Sequence, residues 1–158
     1  MLNSLQRISM VLTVALLTGC LAPQAREADQ RNAEAMAAVE RIVNVIVSRR
    51  RDQISEMASL PFWSDRWITN QQELQAEFRA NPDQTIQAKQ LALRVYPLAD
   101  LAALHPEAWA QIRSAEPAWL EQLYIGAIAL EVDGSTESGL LLLRKVDGRW
   151  TLAGILDN

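Results

Sequence analysis

The stretch Gly139-Leu140-Leu141-Leu142-Leu143-Arg144-Lys145-Val146-Asp147-Gly148-Arg149-Trp150 decides the fold class of this chain. Its leucine run is short, apolar on both faces, and bounded by glycine and by a turn signal. That pattern predicts a central strand covered on both sides. Asp147-Gly148 predicts a two-residue hairpin, because both central positions of a type I′ turn need positive φ. Arg149 to Leu156 then returns as a strand, with Trp150, Leu152 and Leu156 alternating. Upstream, a strand over about 123–132 places Tyr124, Ile128 and Leu130 on one face, and Asp133-Gly134-Ser135 turns it. The chain therefore ends in a three-strand meander. Gly134 to Gly139 reads as a hairpin loop. It is no phosphate loop, since Leu140 and not lysine follows it.

Outward from the meander the pattern alternates between helix and strand. Residues 98–122 read as helix in pieces, interrupted at His105-Pro106 and restarted at Pro117, with Trp109, Ile112, Trp119 and Leu120 inward. Residues 87–98 read as a strand, with Leu91, Leu93 and Val95 on one face and Gln90, Ala92, Arg94 and Tyr96 on the other. Asn70-Gln71-Gln72-Glu73 reads as a capping box that opens a helix ending before Pro82.

Before it, residues 60–68 are aromatic and β-branched. Unbroken alternation would put Trp63, Asp65 and Trp67 on one face, whereas a turn at Ser64-Asp65 would break that register. Pro61 marks the end of a short helix over about 52–59. A longer helix over about 27–47 carries Met36, Val39, Val43 and Ile46, widened by Ile42 and Val47. Arg49-Arg50-Arg51 follows it and reads as a solvated helix end complementing the helix dipole, with contact to lipid phosphates or an anionic ligand as the alternative.

The order helix, helix, strand, helix, strand, helices, meander defines an α+β class. Two stretches carry a closer likeness: Pro61 to Asp65 followed by Gln72-Glu73-Leu74, and Gly139 to Trp150 with Ala153 to Asp157. Over residues 30–158 the chain resembles the nuclear transport factor 2-like superfamily, which includes ketosteroid isomerases and polyketide-cyclase-like proteins. The resemblance implies a cone in which a curved mixed or antiparallel sheet wraps around N-terminal helices. It also implies a pocket in that cone and a homodimer through the sheet. Catalytic members use acid-base residues inside the cone, and Asp65 falls near the isomerase base. The first helix holds no tyrosine to partner it.

The start of the chain carries a separate motif. Met1 to Arg7 is polar with a positive charge, and Ile8 to Leu17 is apolar over about ten residues, half of what a membrane-spanning helix needs. Leu17-Thr18-Gly19-Cys20 resembles the bacterial lipobox, which implies cleavage before Cys20 and acylation of its thiol and amine. Two or more acyl chains, palmitate among them, hold a protein at a membrane where one binds only marginally. The expected organisation is a signal peptide over 1–19, the acylated cysteine and a short tether over 20–29, and one domain over 30–158. By resemblance to Gram-negative lipoproteins, Leu21 in place of aspartate after the cysteine implies the outer membrane, facing the periplasm, in a Gram-negative host.

Composition narrows the function. The chain has 15 Lys and Arg against 19 Asp and Glu. Cleavage would remove one positive charge, Arg7, and no negative one. A mildly acidic domain lacks the basic footprint that nucleic acid requires. Cys20 is the single cysteine, so acylation leaves no disulfide, no thiolate metal site and no cysteine nucleophile. The lone histidine, His105, has no companions at metal-ligand spacing and supports no Ser-His-Asp set. No cofactor motif is present.

Trp63, Trp67, Arg94, Tyr96 and Tyr124 are the candidate pocket residues, for a small hydrophobic or anionic ligand. If the Arg94 and Tyr96 face is concave they line a site; if convex they meet solvent or a partner. Asp65 is the weak catalytic candidate. The expected function is a lipid-anchored envelope module that binds a small ligand or a protein. The alternative is an isomerase, cyclase or dehydratase using Asp65 as base.

Overall fold

The computed structural model describes residues 26–48, 51–80, 88–113, 120 and 122–157. The Leu17–Cys20 motif, Arg49, Arg50, Pro82, Pro117 and Trp119 lie outside them. The chain parts into two units, Met1–Ala33 and Glu34–Asn158. In the first, residues 26–33 are exposed helix bearing an Arg31–Glu27 pair at 3.8 Å.

The elements follow in chain order. α1 covers 26–47, α2 Arg51–Met57, β1 Ala58–Ser64, β2 Arg66–Ile68 and α3 Gln71–Ala80. β3 covers Ala88–Pro97, followed by a 3-10 turn at Leu98–Asp100, α4 Leu101–Leu104 and α5 Pro106–Ile112. β4 Tyr124–Val132, β5 Ser135–Val146 and β6 Arg149–Asp157 form the expected meander. The class is α+β, with a six-stranded mixed sheet in the order β2-β1-β6-β5-β4-β3. β1 runs parallel to β6, and every other neighbouring pair is antiparallel.

The leucine run behaves as its pattern predicts. Leu140 to Leu143 are all buried in β5, between β4 and β6. Strand alternation sends Leu141 and Leu143 to one face and Leu140 and Leu142 to the other. On the first face they join Val39, Ile42 and Val43 of α1, Ile54 of α2, Leu74 of α3, and Phe62, Ile68 and Leu152. On the second they join Leu98, Leu101, Ala108, Ile112, Leu120 and Leu123. Two apolar layers thus sandwich the sheet, and burial of this kind is worth roughly 25 cal/mol per Å² of apolar surface. α4 and α5 pack on this second face.

Turn chemistry sets both meander hairpins. Asp133 and Gly134 have φ of 49° and 83°, and Asp147 and Gly148 have 49° and 77°. Both pairs meet the I′ requirement. The first turn is tighter than expected. β5 begins at Ser135, so the stretch 135–138 read as loop is an exposed strand extension pairing with β4.

Three expectations need correction, the first two because an inserted residue shifts parity. In β3, Gln90 pairs with Leu130 and Ala92 with Ala129, so Leu91 is an inserted bulge residue. It is 46% exposed, while Leu93 and Val95 pack on the helix side. In β6, Leu142 faces Gly154 and Leu143 faces Leu152, which leaves Ala153 as the extra residue. Trp150 and Leu152 therefore face the α1 layer, whereas Leu156 faces the α5 layer. At the first strand, α2 ends at Met57 and β1 already runs from Ala58, with Pro61 inside it and a cis Leu60–Pro61 bond.

Candidate functional site

The residues singled out from sequence are not gathered in one place. Asp65 sits alone between β1 and β2, exposed, with φ of 57°. The strand turns there, so β1 and β2 are a hairpin and not one continuous strand. Its carboxylate is open to solvent at this turn and not enclosed in a pocket with the tryptophans on either side. Trp63 and Trp67 pair directly across this hairpin and meet edge to face, with centroids 4.9 Å apart. Both pack in the α5 layer, where Trp63 is buried.

Arg94 and Tyr96 stand on the same sheet face but on β3, at the opposite edge. Four strand spacings separate β1 from β3, about 19 Å at about 4.8 Å each. Arg94 is exposed. Tyr96 stacks on His105 at 6.2 Å with an interplanar angle of 11°. Its buried hydroxyl finds no hydrogen-bond partner among the described residues. Burial first, and Asp100 second, push its phenol above the ordinary value. Tyr124 lies on the other face, against Trp150 at 5.1 Å.

A different constellation forms a concave site. A cleft of about 630 Å³ opens between α1, α2 and the β5–β6 hairpin. Glu34, Ala37 and Arg41 enter it from α1, Glu56 and Met57 from α2, and Lys145 and Gly148 to Thr151 from the hairpin. The spacing of Glu34, Ala37 and Arg41 puts them along one stripe of the helix, beside its apolar face. Lys145 and Trp150 are cross-strand partners and point the same way.

Trp150 is the fixed wall of this cleft. Its Nε1–H donates to Glu34 Oε2 at 3.3 Å, and its ring meets Tyr124 edge to face at 76°. Lys145 Nζ donates to the same Glu34 oxygen at 2.6 Å and lies 5.9 Å from the Trp150 centroid. That distance is within cation–π range. Behind the cleft, Thr151 Oγ1 stands 2.8 Å from Ser59 Oγ and 3.0 Å from the Arg144 carbonyl. The Arg144 guanidinium donates to the Leu60 carbonyl, and burial lowers its pKa. This polar seam ties β1 to the hairpin that carries Trp150.

The cleft is suited to recognition. It offers an aromatic wall, a thioether, three cationic groups (Arg41, Lys145, Arg149) and two carboxylates (Glu34, Glu56). Its volume is typical of small-molecule sites, about 300–1,000 Å³. Among the described residues, no group of three or more His, Cys, Asp or Glu could hold a metal ion. No described helix is long and apolar enough to cross a membrane.

None of the cleft residues is among the candidate pocket residues named from the sequence. The available signal was the Lys145-x₄-Trp150 pairing across a two-residue turn, joined to the polar flank of α1. What the sequence does not carry is that α1 docks beside that hairpin. A scan against protein-family models finds no match to this chain, and a search of curated proteins finds no relative.

Proposed function

We propose that this protein is a lipid-anchored envelope module whose domain binds a small amphipathic ligand in the cleft beside Trp150. The observation that carries the reading is that cleft, with its ring held in place by Glu34 and Tyr124 of the same chain. A preorganised aromatic wall lowers the ordering cost of binding. The anchor rests on Leu17-Thr18-Gly19-Cys20, and its destination in a Gram-negative host is the outer membrane, facing the periplasm.

The fold proposed for the domain is the nuclear transport factor 2-like cone. Its support is the parallel β1–β6 pairing within an otherwise antiparallel sheet, together with the helix layer on one face. The bulges at Leu91 and Ala153 are features that bend and twist a sheet.

Two measurements test the function. In the native host, labelled palmitate should enter the chain, and Cys20→Ala should abolish the label and release the protein from membranes. Retention of the label in that variant would end the anchor reading. For the domain, native mass spectrometry of the exported Cys20→Ser chain should show a reproducible adduct that Trp150→Ala removes. An adduct that survives Trp150→Ala would place the site elsewhere.

A further inference from the structure

Resting on the cleft reading above, we infer that its ligand is an amphipathic anion, and that Glu34 is a built-in competitor holding one of the three cleft cations in reserve. Lys145 is already engaged, with Glu34 at 2.6 Å. Arg41 and Arg149 are exposed, line the same cleft, and form no ion pair among the described residues. Arg41 enters the cleft from α1, and Arg149, on the opposite pleat from Trp150, borders it at the hairpin; a guanidinium suits a carboxylate or phosphate, which it binds through paired N–H donors. Glu56 is the single remaining carboxylate of the lining. The apolar part of the ligand has Trp150 and Met57 to lie against.

Glu34 occupies a particular place in this arrangement. One oxygen, Oε2, accepts from both Lys145 Nζ and Trp150 Nε1. It therefore fixes the aromatic wall and also neutralises a cation that an anionic ligand would otherwise use. Glutamine at this position keeps a carbonyl for the indole N–H but removes the negative charge and releases Lys145. Glu34→Gln should then strengthen anion binding. General disruption of the cleft would weaken it, so the sign separates the two.

The experiment is calorimetric titration of the exported Cys20→Ser chain with decanoate, decyl phosphate, decanol and decyltrimethylammonium, each below its micellar concentration. These share a body and differ in charge. Both anions should bind, and the cation should bind at least about tenfold more weakly. Arg41→Gln with Arg149→Gln should weaken anion binding by about tenfold or more, and Glu34→Gln should tighten it several-fold. The ratio of the two anions distinguishes a fatty carboxylate from a phosphate-ester headgroup. Thermal melts confirm that each variant is folded.

If decyltrimethylammonium or decanol binds as tightly as the anions, with Trp150→Ala abolishing it, the anion inference falls and the cleft reading stands. Full anion affinity in the double arginine variant, or weakened anion binding in Glu34→Gln, overturns the inference in the same way. Binding of no member of the series overturns both.

Discussion

Two glycines show how single atoms hold the layers in register. A Cβ at Gly154 would stand 2.5 Å from Trp63 Cβ and 2.9 Å from the Trp63 carbonyl oxygen. A Cβ at Gly126 would stand 2.6 Å from a Val39 methyl group. The first obstacle is partly main chain and cannot rotate away; the second is the end of a side chain. Gly154→Ala should therefore destabilise by about 1–3 kcal/mol, with Gly126→Ala costing less. Val39→Ala should relieve the Gly126 variant but leave the Gly154 variant unchanged. Urea midpoints of the single and double variants check this, and equal costs at the two glycines would contradict it. Neither glycine announces its role locally, since each is small because of a residue far along the chain.

The β1–β2 hairpin and α3 form a strapped unit. Asn70 Oδ1 accepts the Glu73 N–H at 2.8 Å, the N-cap bond read from Asn70-Gln71-Gln72-Glu73. Ser64 donates to Glu77 at 2.9 Å, and Arg66 pairs with Glu73 at 3.0 Å, so the helix is held to the hairpin before it. Asn70→Ala should cost about 1 kcal/mol, read from the denaturation midpoint. The Arg66 hydrogen bond first, and second a side-chain hydrogen bond from Asn70 to the carboxylate itself, distinct from the N-cap bond, hold the Glu73 carboxyl below its ordinary value of 4.5. A depressed folded pKa contributes stability above the unfolded value and loses it as pH falls through the folded one. The small gap between wild type and Glu73→Gln should therefore be present at pH 7 and close progressively below about pH 4.5. Melts from pH 7 to pH 3 check this, and a gap that widens on acidification would refute it.

In the Glu34–Asn158 unit as a whole, the sheet divides the interior into two apolar layers. Val39 is fully buried on the α1 side and Leu101 fully buried on the α5 side. They belong to separate clusters with the sheet between them. Leu101→Ala should cost about 2–5 kcal/mol. Its effect should add to that of Val39→Ala within about 0.5 kcal/mol. Strong coupling in that double variant, measured by urea unfolding, would mean that the layers are not independent.

What was legible in the chain was short-range. Asp133-Gly134 and Asp147-Gly148 mark their turns because few residue pairs tolerate two positive φ values. Asn70 marks its helix because its side chain caps an amide three residues on. Leu140 to Leu143 mark a central strand because an apolar run has no polar face to show. Parity and proximity were beyond this reach. One inserted residue at Leu91 or Ala153 turns the following side chains over, and no local composition marks the insertion. The cleft joins Glu34 to Lys145 across 111 residues. That meeting depends on where α1 settles on the sheet, which is set by burial of Val39, Ile42 and Val43 and not by any residue of the cleft itself.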